Sequence, residues 1–295
     1  MDPDLAFEVW SGERQHRIED VLAAALSPLA GIPSPLIDAM RYAVLDGGKR
    51  MRPLLAYAAG ELVGADPVLV DVPAAALEMI HAYSLVHDDL PCMDNDVLRR
   101  GKPTVHVRYG EAMALLAGDA LQARAFEMLG AAALRDTGGA CVLLAMSAGG
   151  VGMAGGQAID LVNVGKPMPL PALETMHRMK TGALIRAAVL LGAACGRSLE
   201  SAEQHALDDF ARAAGLAFQI MDDVLDVEGS SAVLGKTAGK DAAHNKPTYV
   251  TLLGLHEARR RAADAHDEAL AALAIFGTAA RRLHEIADWI TRRSH

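Results

Sequence analysis

Apolar residues recur at intervals of three and four positions along almost the whole chain, which is the spacing of one face of an α-helix. We find no long stretch in which apolar and polar residues alternate as they do in a strand. Glycine and proline interrupt the pattern, for example at residues 46–48 and 167–171. Several segments are apolar on all sides and must be buried. The pattern predicts about ten helices in an all-α fold, one large helical bundle that forms a single domain over residues 1–295.

The composition restricts the class of protein. Hydrophobic residues make up 52% of the chain and charged residues 22%, which is typical of a globular protein. The net charge of -9 argues against a nucleic-acid-binding surface. Cys92, Cys141 and Cys195 lie far apart and have no metal-binding spacing, and the first residues are acidic, unlike a signal peptide. We expect a cytoplasmic protein with reduced thiols that does not bind nucleic acid.

One apolar stretch could be mistaken for a membrane span. Residues 137–159 contain no charged side chain, but they are rich in glycine and poor in large apolar residues. Such a segment inserts poorly into lipid, whereas its glycines allow close packing of backbones. We therefore expect a buried core helix here and no membrane span.

Two acidic clusters follow unusually apolar segments. The second cluster contains Asp222, Asp223 and Asp226. Asp222 and Asp226 are four residues apart and share one helical face, so their carboxylates repel each other unless a cation lies between them. Ligands that are all oxygen favour a hard cation such as Mg²⁺. Adjacent aspartates also occur without function in acidic proteins, as at residues 208–209, but two clusters placed in this way favour a metal site.

The first cluster contains Asp88, Asp89 and Asp94. Asp88 and Asp94 are six residues apart, which is about 240° around an ideal helix, so on a regular helix they would not converge. Pro91 breaks the helical hydrogen-bond ladder. If two residues loop out there, the effective spacing becomes four, and we expect the two carboxylates to meet.

Basic residues beside glycine breaks and acidic clusters indicate a phosphate-bearing ligand, because Lys and Arg complement a pyrophosphate held by Mg²⁺. Four groups have this placement: residues 49–52, residues 99–100, Lys180, and the set Lys236, Lys240 and Lys246. Residues 235–237 match the last three residues of the nucleotide-binding P-loop motif. The first glycine of that motif is absent, because position 230 is Ser230, and no strand precedes it.

In this order the motifs resemble the short-chain trans-isoprenyl diphosphate synthases, the bacterial farnesyl diphosphate synthases in particular. The resemblance extends over nearly the whole chain, and it rests on residues 48–53, 88–94, 99–104, 155–161, 180–184, 222–226 and 235–237. It implies a helical bundle of the isoprenoid synthase type around a central apolar cavity. It also implies a homodimer.

The resemblance implies the role of each candidate residue. Three Mg²⁺ ions would be held around an allylic diphosphate by Asp88, Asp89, Asp94, Asp222, Asp223 and Asp226. The side chains in contact with that diphosphate would be Arg99, Lys180 and Lys236. Isopentenyl diphosphate would be bound by Lys49, Arg52, His81 and Arg100, with Lys246 among the substrate-binding residues. Thr181 and Gln219 would line the reacting carbons, and residues 292–295 would close over the isopentenyl site. For His81, a role as a core histidine stays open.

The implied activity is a Mg²⁺-dependent prenyl transfer. Isopentenyl diphosphate would condense with dimethylallyl or geranyl diphosphate to give all-trans farnesyl diphosphate and pyrophosphate. Metal and cationic side chains stabilise the leaving pyrophosphate, the isopentenyl double bond attacks the allylic cation, and a proton is then lost. This chemistry needs no catalytic triad, and an apolar cavity keeps water from the cation.

The product length has two candidate readings. Tyr83 precedes Asp88 by five residues, about 7.5 Å along the helix, and a bulky aromatic residue there resembles the stop for a fifteen-carbon product. The metal loop of residues 90–96 instead resembles that of geranylgeranyl diphosphate synthases. We favour the farnesyl product and keep the geranylgeranyl product as the alternative. Val97 departs from the usual acidic residue, and we expect a small effect.

Three other classes of protein share part of this pattern. A terpene cyclase would lack the basic group at Lys49 and Arg52 and would carry a different second metal motif. A non-catalytic subunit of a heteromeric synthase typically loses one acidic cluster, whereas this chain keeps both. A di-metal carboxylate protein would need Glu-x-x-His pairs on its helices, and the candidate helices have none.

Overall fold

The computed structural model describes residues 6–27, 31–45, 47–228 and 247–292. The helices of these ranges are α1 (Phe7–Ala25), α2 (Ser34–Val44), α3 (Met51–Leu62), α4 (Pro67–Asp88), α5 (Val105–Tyr109), α6 (Glu111–Gly130), α7 (Thr137–Ala148), α8 (Met153–Val162), α9 (Leu170–His177), α10 (Ala183–Ala193), α11 (Ser201–Glu228), α12 (Tyr249–Leu253), α13 (Leu255–Ala272) and α14 (Arg281–Arg292). A π-helical turn, Arg178–Gly182, joins α9 to α10, and a 3₁₀ helix, Leu273–Ala280, joins α13 to α14. The predicted all-α class is confirmed.

The one strand pair in the described ranges is a short antiparallel hairpin just after the first acidic cluster. Its strands are β1 (Leu98–Arg99) and β2 (Lys102–Pro103), and Leu98 lies opposite Pro103. Arg100 and Gly101 form the turn, and both have positive φ angles, 53° and 73°. Glycine adopts positive φ angles without strain, so Gly101 is suited to this turn, whereas Arg100 is not. The hairpin holds Arg99 and Arg100 beside the end of α4.

The centre of the molecule consists of helices that are apolar on nearly every side. α4 packs against α3 and α6, α10 packs against α3 and α4, and α11 packs against α10 and α13. Small residues set the closest approach: a Cβ atom on Gly192 would lie 2.1 Å from the carbonyl oxygen of Ala56. Burial of each large side chain here contributes about 1.5–3 kcal/mol. These central helices carry both acidic clusters at their ends.

The apolar stretch before Asp160 differs from the prediction of a buried core helix. It forms two helices, α7 and α8, separated by a break at Gly149–Gly152, where a Cβ on Gly152 would collide with the carbonyl of Ser147. Two helical stretches of the described chain are long and apolar enough to cross a membrane. The apolar window of Pro67–Asp88 is 61% buried inside the protein, whereas that of Thr137–Val162, which covers both α7 and α8, is only 33% buried. The burial prediction was therefore wrong for α7 and α8, because one face of each helix is exposed.

The first and last described helices join the same core. Trp10 of α1 is fully buried, and its Nε1–H donates to Glu61 of α3 at 2.9 Å. The guanidinium of Arg282 in α14 lies 5.3 Å from the centre of the Trp10 ring. Leu22 of α1 and Ile286 of α14 belong to the same hydrophobic cluster as the central helices.

Candidate active site

The first acidic cluster lies where α4 ends. The helix stops at Asp88, and the chain then turns back, so that the Asp94 amide donates to the Asp88 carbonyl at 2.8 Å. Asn95, with a φ of 52°, donates to the Leu90 carbonyl and completes the turn. Asp88 and Asp94 are thus brought together as the sequence predicts, but by the end of the helix and not by a looped-out pair within it.

The electrostatics of Asp88 reflect this crowding. Burial, first, and the charges of Asp94 and Asp89 raise the pKa of the Asp88 carboxyl to about 6, although Lys180 and Arg99 act in the opposite direction. The charge of Asp94 therefore adds to the rise that burial of Asp88 causes. A cation between the two carboxylates would relieve their repulsion and lower that pKa.

Asp89 has a different environment from Asp88. It is buried, and its carboxylate accepts from Arg99 in a fork, at 2.7 Å from Nη2 to Oδ1 and 2.9 Å from Nε to Oδ2. Burial raises the pKa of Asp89, and the Arg99 ion pair opposes that rise. In this arrangement Asp89 fixes the Arg99 guanidinium at the edge of the cluster.

The second acidic cluster lies at the C-terminal end of α11. Asp223 and Asp226 are buried, and Asp222 is half-buried. Asp223 Oδ2 accepts a hydrogen bond at 2.8 Å from the amide of Tyr249, the first residue of α12. This contact orients the acidic end of α11. Tyr249 itself is a fully buried aromatic residue of the hydrophobic core.

Lys180 lies in the π-helical turn and faces the first cluster. Its Nζ donates to Asp160 Oδ2 of α8 at 2.6 Å, and its charge lowers the pKa of Asp88. Gly156 makes this placement possible, because a Cβ there would lie 2.2 Å from the Lys180 amide nitrogen. Burial, and then the Lys180 charge, lower the pKa of His177 to about 4. The His177 ring stacks on Tyr249, with 5.4 Å between ring centres.

The basic group at the start of α3 is held by a buried acid. Arg50 donates to Glu78 of α4 and pairs with Glu19, each at 2.6 Å. Arg52 is also buried, and its Nε has no hydrogen-bond partner among the residues that the structure describes. Burial lowers the pKa of Arg52, and the negative charges of Glu78 and Asp222 oppose this shift. Through Asp222, this basic group adjoins the second acidic cluster.

Arg100 reaches the same basic group from the hairpin. Its Nη1 donates to the Gly47 carbonyl at 2.7 Å, and a Cβ on Gly48 would lie 2.7 Å from the Arg100 guanidinium. Burial lowers the pKa of His81 well below its usual value, and four guanidinium groups lower it further, those of Arg52, Arg100, Arg99 and Arg50. A neutral histidine among converging cations is suited to receive an anion such as a diphosphate.

The remaining predicted residues fall into two groups. Thr181 in the π-helical turn and Gln219 on α11 are half-buried, whereas Lys49 is exposed just before α3. Arg292 is exposed at the end of α14 and pairs with Asp288 at 3.3 Å. The predicted residues outside the described ranges are Lys236, Lys240, Lys246 and residues 293–295.

Tyr83 is a residue of α4 and faces α6. It is 8% exposed, and its ring meets the His87 ring edge-on, with 5.7 Å between centres. Burial raises the pKa of the Tyr83 hydroxyl, while a polar interaction with the Gln122 side chain on α6 lowers it. Tyr83 is therefore on the helix that carries Asp88, on the side that packs against α6.

Two residues that organise the site were not predicted from the sequence. Glu78 holds Arg50, and Asp160 holds Lys180. Glu78 had a detectable signal, because it is the one acidic residue between Val72 and His87 in an otherwise apolar helix. A buried lone acid needs a cationic partner. Asp160 belongs to the motif of residues 155–161, but its spacing from Lys180 does not indicate that the two side chains pair.

The acidic clusters fit Mg²⁺ better than a metal with an all-protein cage. Within the described ranges, no group of three or more His, Cys, Asp or Glu side chains is close enough to hold an ion. Mg²⁺ is usually bound through one or two carboxylates together with substrate phosphates. The paired carboxylates of Asp88 and Asp94, beside Lys180, suit that mode.

Comparisons with known proteins agree with this arrangement. Residues 33–275 match the family model described as polyprenyl synthetase. The chain is 49% identical over 281 residues to the farnesyl diphosphate synthase of Escherichia coli (92% of this chain, 94% of the relative). It is 45% identical to a chloroplastic geranylgeranyl pyrophosphate synthase of Capsicum annuum (98% of this chain, 79% of the relative). It resembles the crystal structure of a Helicobacter pylori geranyltransferase complexed with magnesium and isoprenyl diphosphate (33% identity, TM-score 0.85, 97% of each chain).

Proposed function

Because the chain belongs to the polyprenyl synthetase family, we propose that it condenses isopentenyl diphosphate with dimethylallyl or geranyl diphosphate and releases farnesyl diphosphate and pyrophosphate. The observation that carries the proposal is that each acidic cluster has a basic side chain beside it, and that the π-helical turn carrying Lys180 packs against α11, the helix of the second cluster. Lys180 acts on Asp88, and Arg52 acts on Asp222. One diphosphate at this end of the bundle would meet carboxylates and cations from both sides.

The allylic diphosphate occupies the acidic end of the site. Asp88 and Asp94, together with the α11 aspartates, would hold the Mg²⁺ ions, three per site by the family resemblance, and the bound metal would supply positive charge to stabilise the leaving pyrophosphate. Lys180 and Arg99 bind the same diphosphate, and Asp160 and Asp89 orient these two cations. Asp89, which the resemblance counts among the Mg²⁺ ligands, also holds Arg99 through its carboxylate. Lys236, which the resemblance assigns to the same diphosphate, lies outside the described residues.

Isopentenyl diphosphate occupies the basic group between α3 and the hairpin. Arg52 and Arg100 are directed there, and the Nε of Arg52 has no partner among the described residues, so a diphosphate oxygen can accept from it. His81 is neutral and supplies a hydrogen bond without adding a fifth positive charge to the four arginines. Lys49 extends the site, whereas Lys246 and residues 293–295, which the resemblance assigns to it, lie outside the described residues.

The protein's own groups account for the chemistry. Lys180, Arg99 and Arg52 hold the two diphosphates in register, so that the isopentenyl double bond faces the allylic carbon. Thr181 and Gln219 line the reacting carbons, and the apolar walls of α4 and α11 exclude water. After the new carbon–carbon bond forms, the carbon beside the resulting cation loses a proton to the departing pyrophosphate and a double bond forms, so no base with a shifted pKa is required.

Farnesyl diphosphate is the favoured product. Tyr83 is buried on α4 below Asp88 and closes the space available to the growing chain. The similarity to farnesyl diphosphate synthases over nearly the whole chain supports the fifteen-carbon length. A geranylgeranyl product is the alternative, since a synthase of that name is 45% identical.

The protein works as a homodimer in this proposal. α6 and α7 expose a group of large apolar side chains, Leu115, Leu116, Val142 and Met146, each about half exposed or more. Exposed apolar patches of this kind usually mark association sites. Measuring the mass in solution tests this, and Leu116→Glu should yield a monomer.

The same proposal treats residues 1–295 as one polyprenyl synthetase domain in the cytoplasm. The family match covers residues 33–275, and α1 and α14 pack on the same hydrophobic cluster. Cys92, Cys141 and Cys195 carry thiols and form no disulfide. Reduced cysteines are usual in the cytoplasm. Cell fractionation tests the location.

The activity is tested by incubating the protein with isopentenyl diphosphate, Mg²⁺ and either dimethylallyl or geranyl diphosphate. The dephosphorylated products are then separated by chromatography. We expect farnesol as the main product from both primers and no product in the presence of a chelator. If neither primer is elongated, the assignment is wrong; a main product of twenty carbons would favour the geranylgeranyl alternative.

A further inference from the structure

Helix α6 contains a niche that receives the His87 ring. Gly118 forms the floor of the niche: the three atoms nearest to a Cβ built there all belong to His87, with Nε2 at 2.0 Å. The His87 Nε2–H donates to the Leu115 carbonyl of α6 at 3.0 Å. Any side chain at position 118 would expel the ring. The histidine that precedes Asp88 is therefore locked to α6 and not to its own helix.

His87 in turn contacts Tyr83, which lies one helical turn earlier on α4. The two rings meet edge-on at an interplanar angle of 73°. Gln122 is one turn beyond Gly118 on the same face of α6, and it interacts with the Tyr83 hydroxyl. Tyr83 thus has an α6 contact at its hydroxyl and an α6-anchored ring at its side.

We propose that Gly118 and Gln122 of α6, together with the His87 ring that Gly118 admits, are positioning residues that hold Tyr83 in place and so set the length of the product. The inference rests on the proposed function, in which Tyr83 closes the space for the growing chain. The phenol stops chain growth only if it does not rotate aside when the growing chain presses on it.

Loss of either support lengthens the product. Without the His87 ring, the phenol can rotate into the space that the ring leaves. Without Gln122, the hydroxyl loses the partner that fixes the far end of the side chain. Gly118→Ala acts through His87, because its new methyl group occupies the niche and displaces the ring.

The experiment compares the ratio of twenty- to fifteen-carbon products made from geranyl and isopentenyl diphosphates. The variants are Tyr83→Ala, His87→Ala, Gln122→Ala and Gly118→Ala, and the double variant His87→Ala/Gly118→Ala. Gly130→Ala is the matched glycine control, since no described atom lies within 4 Å of its built Cβ. Gln204→Ala on α11 is the matched control for an exposed glutamine.

We expect the ratio to rise about tenfold in Tyr83→Ala and about threefold in each α6 or His87 single variant, because small changes in an apolar pocket alter discrimination to this degree. Both controls should keep the wild-type ratio. In the His87→Ala background, Gly118→Ala should add nothing, since there is no ring left to displace. Gln122 is exposed, so Gln122→Ala should fold normally whatever the other variants do.

Two results would overturn the inference. In one, Tyr83→Ala lengthens the product while Gln122→Ala and His87→Ala keep the wild-type ratio, so that Tyr83 needs no support. In the other, Tyr83→Ala itself changes nothing, so that Tyr83 is not the stop. In both cases the wild-type protein still makes farnesyl diphosphate, so the proposed function stands. A wild-type protein that elongates no primer would instead contradict the proposed function.

Discussion

Asp160 Oδ2 lies 2.6 Å from Lys180 Nζ, and this ion pair joins α8 to the π-helical turn. The Asp160 carboxylate sets the direction in which Lys180 approaches Asp88. Two residues twenty positions apart in the sequence thus act as one unit of the proposed allylic site.

Asp160→Asn should therefore reduce activity while leaving the fold intact. The amide cannot hold the lysine as an ion pair, and a misplaced cation costs about a hundredfold in rate. Steady-state kinetics with varied geranyl diphosphate should show this loss in kcat/KM. Asp209→Asn, which removes an exposed pair with Arg212, should match the wild type. An unchanged kcat/KM in Asp160→Asn would mean that Lys180 needs no partner.

Asp88→Asn should stabilise the metal-free protein at neutral pH. The pKa of Asp88 is about 6 in the folded chain, against 3.8 ordinarily, so the folded state keeps its proton longer than the unfolded state. The free energy of unfolding of the wild type therefore falls as pH rises from about 4 to about 6, by up to about 3 kcal/mol. The asparagine variant does not undergo this loss.

Urea denaturation in a chelating buffer measures the difference between wild type and Asp88→Asn. The variant should be the more stable protein near pH ~7, and the two should be equal near pH ~4. The variant should also lose elongation activity, because it lacks a proposed Mg²⁺ ligand. Asp264→Asn, at an exposed position, is the control. Equal stability at both pH values would show that Asp88 is not crowded.

Gly156→Ala should destabilise the protein. The added Cβ would lie 2.2 Å from the Lys180 amide nitrogen and 2.6 Å from its Cα, and backbone atoms cannot move aside as a flexible side chain can. We expect the free energy of unfolding to fall by about 2–4 kcal/mol. Gly12, at an exposed position of α1, has open space around a built Cβ, so Gly12→Ala should stabilise the protein by about 0.5–1 kcal/mol. Denaturation curves of the two variants that coincide would exclude close packing at Gly156.

Glu78→Gln should also destabilise the protein, because it removes the negative charge that compensates the buried Arg50. Loss of one member of a buried ion pair costs about 3–5 kcal/mol. Glu257→Gln breaks an exposed pair with Arg260 and should cost less than about 1 kcal/mol. Chemical denaturation of both variants at neutral pH provides the comparison. A loss in Glu78→Gln no greater than in Glu257→Gln would contradict the role of Glu78.

Local sequence patterns sufficed for the helical class and for the convergence of Asp88 and Asp94. Helical periodicity depends only on neighbours along the chain, and the effect of Pro91 on a hydrogen-bond ladder is equally local. The manner of convergence was not predictable, because it depends on the backbone bond from Asp94 to the Asp88 carbonyl. The sequence alone does not tell whether a helix bulges or ends at a proline.

Local sequence patterns do not predict which side chains from different elements form ion pairs. Nothing in the spacing of Asp160 and Lys180, or of Asp89 and Arg99, distinguishes a partner from a neighbour. The prediction that residues 137–159 are buried was wrong for the same reason. Their lack of charge indicated burial, but whether an apolar face is covered depends on which other helices pack against it.

The backbone of the turn after α4 is closed before any ligand arrives. With the Asp94 amide already bonded to the Asp88 carbonyl, folding rather than binding removes the conformational entropy of this turn. An incoming ion would find its two carboxylates preorganised and would gain their attraction without having to order a loop. Ion affinity at this turn should therefore respond to ionic strength and pH far more than to changes in chain flexibility.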